Sequence, residues 1–461
     1  MTPATPQTAS TGSASGTRGA PACTGETRAR VRRALPVFLK VTDRVLASYL
    51  ENCVHCGECA EACHFYLSTG DPKFTPTWKL RPLVKVWKRH RAPFAGLKRA
   101  LGLAPPEITD AELEEWSRLV YDACTMCGRC TLVCPMGIDI AGAIRKMREG
   151  FVAAGLAPEG LQALIDRALK TNSPMGITPK ALKAQIAEQE RESGAPVPLD
   201  VKGADYMILL SSLQIMAYPE VIGALARIFR QAGVSWTIST KYFEGTNLGV
   251  QLGSSEIAAE LIRRMAEAAE ELEVKYVVTP ECGHVYGAIR WAGPNLLGRP
   301  FRFRVIHIIR LLDRLLKEGR IRLKGHDRRV VSFHDPCQIV RRGGLVKEPR
   351  ELIGAVADNF RELPEAGVTN YCCGGGGGVS ANPRAAPLMD RAFECKRSQF
   401  EAVEGLEEII SPCANCRSVL EEGLENRDMA ERWSITGLSE YLARFLDDAE
   451  PEESEARPEA S

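Results

Sequence analysis

The chain has 461 residues, 59 Lys+Arg against 58 Asp+Glu, a net charge of +1, 45% hydrophobic and 25% charged residues. This is the balance of an ordinary globular protein of roughly two or three domains, and its near-neutral charge gives no ground for nucleic acid as the main partner. The longest apolar runs, Met207–Leu213 and Val221–Phe229, fall well short of the roughly 18 residues a bilayer span needs. Met1–Cys23 is rich in Thr, Ser, Ala, Gly and Pro without an apolar core, so neither secretion nor an integral membrane segment is expected.

In chain order, residues 1–30 read as a disordered tail and residues 31–160 as a mainly helical domain. Residues 161–200, with several prolines and a charged run, read as a partly helical linker. Apolar runs then alternate with amphipathic helical stretches. The expected strands are Tyr206–Ser211, Ser235–Ser239, Lys275–Thr279, Arg329–His334 and Glu407–Ser411, with helices over Glu220–Ala232 and Glu256–Leu272. Such alternation predicts βαβ units and parallel sheets in two halves, 201–325 and 326–446, ahead of a disordered acidic tail at 447–461. The expected class is thus α+β and multidomain, a helical domain followed by a duplicated α/β domain.

Three short matches in the same order support the duplication. Ser211-Ser212-Leu213-Gln214-Ile215 aligns with Asp335-Pro336-Cys337-Gln338-Ile339, and Tyr242-Phe243-Glu244-Gly245 with Tyr371-Cys372-Cys373-Gly374. Pro280-Glu281-Cys282-Gly283-His284 aligns with Pro412-Cys413-Ala414-Asn415-Cys416. The second copy has five cysteines where the first has Leu213, Phe243, Glu244, Glu281 and His284, one equipped site and one degenerate one.

Sixteen cysteines in a chain without a secretory signal argue for metal ligation or redox chemistry rather than disulfides. Only Cys23, Cys282 and Cys395 stand outside three groups. Cys53, Cys56, Cys59 and Cys63, and again Cys124, Cys127, Cys130 and Cys134 before Pro135, have bacterial ferredoxin spacing. Three thiolates on a tight loop reach one cubane, and the fourth, a helical turn on, points to its neighbour. This assigns Cys53, Cys56, Cys59 and Cys134 to one [4Fe–4S] cubane, and Cys124, Cys127, Cys130 and Cys63 to the second. Gly57 and Gly128 suit loops that wrap closely. Paired zinc sites are the alternative, and His64 stands where proline usually follows the fourth cysteine. The basic stretch Trp78–Arg91, with two Trp, reads either as a docking face for a partner or anionic membrane or as a solvated helix with inward Trp.

Cys337, Cys372, Cys373, Cys413 and Cys416 form the third group. Adjacent cysteines make strained disulfides but good ligands for a polynuclear metal site, and the ends of parallel strands are where such folds bind ligands. The five glycines from Gly374 leave room for close approach, without the Lys-Ser/Thr of a phosphate loop. One structural zinc is the alternative. Glu281 and His284 are candidate proton donors across a cleft between the halves, or remnants of a lost metal site. Cys282 reads as a free thiol, a substitute ligand or a buried small residue, and His334 as a loop anchor or proton carrier. Cys23 and Cys395 have no assigned role.

The Cys337…Cys372-Cys373-Gly374…Cys413-x-x-Cys416 pattern resembles the CCG cysteine-rich domain of heterodisulfide reductases. The whole layout resembles the D subunit of heterodisulfide reductase and, more closely, the DsrK-type iron–sulfur proteins, as does Cys53–Phe65 followed by Thr69-Gly70-Asp71-Pro72. The resemblance implies that the five cysteines hold a noncubane [4Fe–4S] cluster that reduces or oxidises a disulfide or trisulfide. It implies a DsrC-like sulfur carrier as substrate, a membrane cytochrome b-type subunit and other redox-complex subunits as partners, and a cytoplasmic place at the inner face of the membrane. The same layout occurs in iron–sulfur subunits of flavin-dependent glycolate or lactate and glycerol-3-phosphate dehydrogenases, which are alternatives. A non-catalytic relay with zinc in the CCG site is a further one.

Overall fold

The computed structural model describes residues 27–448, apart from residue 246. Cys23, most of the expected N-terminal tail and the acidic tail past residue 448 lie outside the described residues. The last residues assigned to the N-terminal tail instead begin a helix, Thr27–Val41. It packs on helix Ile140–Ala154, with the Phe38 and Phe151 rings 5.3 Å apart edge to face. A Cβ at Gly150 would lie 2.2 Å from the Phe38 ring, so the glycine permits the crossing.

Helix Ile140–Ala154 follows directly from its sequence. Asp139 caps its N-terminus by accepting from Gly142 N–H, and Ile140, Ile144, Met147 and Phe151 form one buried stripe at helical spacing. Gly155, in left-handed conformation, ends it. Helix Asp110–Tyr121 carries a reciprocal capping box between Thr109 and Glu112. The 161–200 stretch contains most of helix Glu159–Thr171 and all of helix Pro179–Ser193. Leu161 and Ile165 join the core of the helical domain, whereas Leu182 and Ile186 join that of the sheets.

Two four-stranded parallel sheets follow. The first contains β1 (Tyr206–Ile208), β2 (Trp236–Thr237), β3 (Tyr276–Thr279) and β4 (Arg304–His307), in the order β2-β1-β3-β4. The second contains β5 (Asp327–Phe333), β6 (Ala357–Phe360), β7 (Leu406–Ile410) and β8 (Ser434–Thr436), in the order β6-β5-β7-β8. The two orders are the same, as a duplication requires. The five expected strands are present, each trimmed or shifted by a residue or more, whereas β4, β6 and β8 were not foreseen. All three are edge strands, short and paired on one side only, and Ala357-Asp358-Asn359-Phe360 carries no run of apolar residues to announce itself.

In each sheet the strand order reverses between the first and third strands. In the second sheet these are β5 and β7, and their carboxyl ends lead into Cys337 and Cys413. A crevice at the carboxyl ends of such a switch point is where open parallel sheets bind ligands.

Candidate metal centres

The two ferredoxin-type loops have one backbone shape used twice. His55 and Met126 both have φ 54°, and Gly57 and Gly128 follow at φ 92° and 79°. These left-handed turns fold the thiols inward before the short helices Glu58–Glu61 and Arg129–Leu132. Cys53, Cys56, Cys59 and Cys134 line one small cavity. Cys63, Cys124, Cys127 and Cys130 line another. The structure thus brings the cysteines together in the crossed sets the spacing suggested.

Both sets suit a metal cluster. Burial, reinforced by Cys53, Cys56 and Cys134, pushes the Cys59 thiol up to about 11, and burial beside Cys127, Cys124 and Cys63 raises Cys130. Thiols so crowded resist ionising together unless a cation joins them. The second set already has a positive neighbour. Lys79 is buried, with its Nζ 2.6 Å from the Ala123 carbonyl oxygen. Burial draws its pKa down, but thiolates at Cys63, Cys124 and Cys130 outweigh that and leave it raised.

Cys337, Cys372, Cys373, Cys413 and Cys416 are all buried in one apolar cluster at the end of the second sheet. Cys337 Sγ lies 3.9 Å from Cys372 Sγ. Cys373 and Cys416 group with His334, their donor atoms all within 4.8 Å of one another. Hydrogen bonds from Cys372 and Cys416 lower the Cys373 thiol, and those from Cys282 and Cys416 lower Cys413. Five converging sulfurs in an apolar pocket fit a polynuclear iron–sulfur group better than a single tetrahedral ion, whose four positions they exceed. A second buried lysine, Lys396, lies beside this set and donates to Gln399 Oε1 at 2.7 Å. Burial, offset in part by Asp335 and the Cys372, Cys373 and Cys416 thiols, lowers it to about 8.

The second ferredoxin loop is locked onto this site. Cys63 and Cys127 pack against the apolar cluster that contains the five CCG cysteines. Gln338 Nε2 donates to the Met126 carbonyl at 2.7 Å, and Arg341 donates to the Cys127 carbonyl at 2.9 Å and to Asn370 Oδ1 at 2.7 Å. Arg129 reaches the Thr369 carbonyl at 2.7 Å and stacks on Tyr371, just ahead of Cys372. Beneath them Arg148, fully buried, donates to carbonyls of Val120 at 2.6 Å, Cys124 at 2.8 Å, Gln251 at 2.5 Å and Gly377 at 2.6 Å. Gly377 has φ 65°, and a Cβ there would lie 2.7 Å from the Thr125 carbonyl oxygen. Part of the glycine run is therefore a seat for the ferredoxin loop.

The degenerate half contributes a wall rather than a second cluster. Cys282, His284 and His307 all lie close enough to Cys413 to feel its charge. Burial brings His284 down to about 4 and His307 to about 3, so both imidazoles are neutral at pH 7. His307 Nδ1 accepts from Ile309 N–H at 3.2 Å. Glu281 is turned elsewhere, accepting from the Ser439 backbone N–H at 3.0 Å and from its hydroxyl. It caps helix Leu438–Ala443 and makes no hydrogen bond to a cysteine among the described residues. Both ring nitrogens of His334 lack a hydrogen-bond partner among the described residues, so it is not the loop anchor. That role falls to Asp335, which pairs with Arg350 at 2.7 Å and accepts from Gly367 N–H at 2.6 Å. Cys395 is half-buried, and its thiol makes no hydrogen bond among the described residues.

Sequence reasoning missed His307, Lys79 and Lys396. His307 ends an unforeseen edge strand, and the lysines stand in helices that read as ordinary amphipathic surfaces. Trp78 and Trp87 pack against the helical core, and Trp87 donates to Glu51, which is the inward arrangement of the two readings given for that helix.

The comparisons agree with this geometry. The 4Fe-4S dicluster domain matches residues 49–138, and the CCG cysteine-rich domain matches residues 331–421. An Hdr-like menaquinol oxidoreductase iron-sulfur subunit 2 of Archaeoglobus fulgidus is 28% identical over 83% of this chain and 77% of its own. The D subunit of the dihydromethanophenazine:CoB–CoM heterodisulfide reductase of Methanosarcina acetivorans is 28% identical over 82% of this chain and 90% of its own. An EtfAB:quinone oxidoreductase of Syntrophomonas wolfei is 25% identical over 86% of this chain and 58% of its own. No solved structure matches the chain. Its domain matches, its relatives and its three converging cysteine sets together make the chain an iron–sulfur protein similar to the D subunit of heterodisulfide reductase, with a 4Fe-4S dicluster domain ahead of a CCG cysteine-rich domain.

Proposed function

We propose that this chain passes electrons between a membrane-bound redox partner and a disulfide or trisulfide held at the CCG site. The observation that carries the reading is that Cys63 and Cys127 of the second ferredoxin set pack against the same apolar cluster that holds all five CCG cysteines. Cys53, Cys56, Cys59 and Cys134 would hold one cubane, and Cys63, Cys124, Cys127 and Cys130 the other. Cys337, Cys372, Cys373, Cys413 and Cys416 would hold a noncubane [4Fe–4S] cluster. Such clusters supply one-electron steps when bound.

The residues around them set a direction in space. Cys56 is exposed, with Val54 at 62% and Met136 at 46% exposure beside the same cavity, so the first set faces a docking partner. The second set is interior, beside Lys79, and the CCG set is buried deepest. Reduction of a disulfide takes two electrons and two protons and yields two thiols. On this reading neutral His284, close enough to Cys413 to feel its charge, would pass a proton rather than hold one.

The partners on this reading are a cytochrome b-type membrane subunit with other redox-complex subunits, and a DsrC-like sulfur carrier. The chain then sits at the inner face of the cytoplasmic membrane. Among the described residues no helix is long and apolar enough to cross a membrane. Phe94, Leu97, Leu101 and Leu103 are exposed beside Arg91, Lys98 and Arg99, a patch suited to a lipid surface. A relay that serves a flavoprotein partner is the second reading, favoured by the likeness to the EtfAB:quinone oxidoreductase.

Anaerobic purification with iron and zinc analysis, followed by EPR after oxidation with and without a dithiol substrate, tests the proposal. About twelve irons per chain and a paramagnetic signal that needs the thiol support it. About eight irons with one zinc, and no thiol-dependent signal, leave a two-cluster relay whose chemistry belongs to a partner.

A further inference from the structure

His334 stands at the carboxyl end of β5, just ahead of Asp335, Pro336 and Cys337, and none of its surface reaches solvent. The sheet fixes which way it faces. Its backbone N–H donates to the Ile410 carbonyl at 2.9 Å, which carries the β5–β7 pairing one residue past Phe333. Val331 and Phe333 belong to the core shared with the first half, so the pleat turns Ser332 and His334 to the opposite face. Ile409, paired with Ser332, lies in the cluster that holds Cys337, Cys372, Cys373, Cys413 and Cys416.

There the imidazole has no protein group to bond. Both ring nitrogens are buried without a hydrogen-bond partner, and among the described histidines no other has both in that condition. His307, by comparison, accepts from Ile309 N–H through Nδ1. Leaving a buried donor and a buried acceptor unpaired is costly, and native interiors avoid it unless something else completes the pair. A ring nitrogen of His334 and the sulfurs of Cys373 and Cys416 all lie within 4.8 Å of one another, yet no hydrogen bond joins the ring to either sulfur. Burial and then the nearby ammonium of Lys396 keep the ring neutral, the form that binds metals.

The duplication supplies an independent observation. Aligning Ser211 with Asp335 sets Leu210 opposite His334. Leu210 is just as buried, in the half that lacks all five cysteines. The same place in the same fold takes a leucine where the sulfurs are missing and a histidine where they are present. A side chain that only filled the end of the strand would have no reason to follow the cysteines.

We infer that His334 is a sixth protein ligand of the CCG metal centre, binding through one ring nitrogen beside Cys373 and Cys416. The inference rests on the reading that the five cysteines hold a metal, and not on disulfide chemistry. A neutral nitrogen in place of an anionic sulfur raises the potential of the iron it binds, as histidine ligation does in other iron–sulfur centres. It also makes that iron spectroscopically distinct from those held by thiolates alone.

The test uses the full-length protein, purified anaerobically. Wild type is grown on histidine enriched in heavy nitrogen and poised so that the CCG centre carries an unpaired spin. Pulsed EPR should show the strong coupling of a directly bound nitrogen, and His334→Gln should lose it while the signals of the two cubanes stay as they are. In parallel, Mössbauer spectra of His334→Gly should shift the doublet of roughly one iron in twelve. Imidazole added during cluster assembly should restore that doublet in His334→Gly but not in His334→Gln, which fills the space. Absence of histidine coupling on the wild-type CCG signal, a measurement that needs no variant to fold, would overturn the ligand. So would Mössbauer spectra of His334→Gly that superimpose on those of the wild type.

The two readings fail separately. About twelve irons with no histidine coupling keep the iron–sulfur reading and remove His334 from it. About eight irons with one zinc sink the noncubane cluster, and X-ray absorption at the zinc edge then decides the ligand. Imidazole scattering that disappears in His334→Gln upholds His334, and a shell of sulfur alone overturns it. A CCG site without metal overturns both.

Discussion

Lys79 holds its ammonium 3.5 Å from the sulfur of Cys63, inside the protein. A positive charge so close to one ligand set, with none like it among the described residues at Cys53, Cys56, Cys59 and Cys134, favours the more reduced and more negative state of the second centre. Lys79→Gln should therefore make the second centre harder to reduce, by roughly 50–150 mV, a screened charge at such a range being worth a few kcal/mol. A redox titration followed by EPR, with the first centre as internal reference, checks this. Equal potentials in the two proteins would show that the lysine only fills space.

Glu281 carries a pH signature. Burial raises its carboxyl to about 7, against an ordinary 4.5, even though Ser439 donates to it. The folded protein therefore binds a proton more tightly than the unfolded chain does. Stability from this group is complete below about pH 4.5 and is lost as pH rises through about 7, a span of roughly 3 kcal/mol. Glu281→Gln should flatten that slope and unfold at higher denaturant concentration at pH 8. Urea unfolding at several pH values between 5 and 8 measures it, and parallel curves for the two proteins would refute the assignment.

Gly283 sits between the two sheet halves, where an added methyl meets backbone, 2.4 Å from Ile339 N and 2.5 Å from Gln338 C. Backbone cannot step aside as a flexible side chain would. Gly283→Ala should cost about 2–3 kcal/mol and pull Gln338 off the Met126 carbonyl. The expected result is a lower Tm together with loss of iron from the CCG site. An unchanged Tm would mean that the interface yields more readily than its contacts imply.

The patch at Phe94, Leu97, Leu101 and Leu103 makes a separate prediction about location. Replacing all four by Ser should abolish co-flotation with phosphatidylglycerol vesicles while leaving the iron content as it was. Co-flotation that persists in the quadruple variant would place membrane attachment elsewhere on the chain.

Much of this arrangement was legible from cysteine spacing, because a cluster demands that its ligands lie within a few ångström. Cys63 and Cys134 cross between the two ferredoxin loops for that reason, and the strand ends before Cys337 and Cys413 mark the switch point. What stayed hidden depends on long-range packing. Cys282 is offset by one residue from the cysteine position its repeat would predict, yet its strand end still delivers it to Cys413. His307 follows an edge strand with weak patterning. The residues read as a linker, 161–200, give no sign in their composition that Leu161 and Leu182 serve two different cores.

Arg148 has a consequence for how the molecule moves. One guanidinium holds carbonyls from the helical domain, from the first half at Gln251 and from the glycine run at Gly377. Releasing any one of them leaves a buried N–H without its acceptor, so the parts resist hinging against one another. Electron tunnelling falls exponentially with gap length, and a hinge between cysteine sets would make conduction fluctuate with every opening. Tied at this knot, the chain is a stiff conductor of fixed gaps.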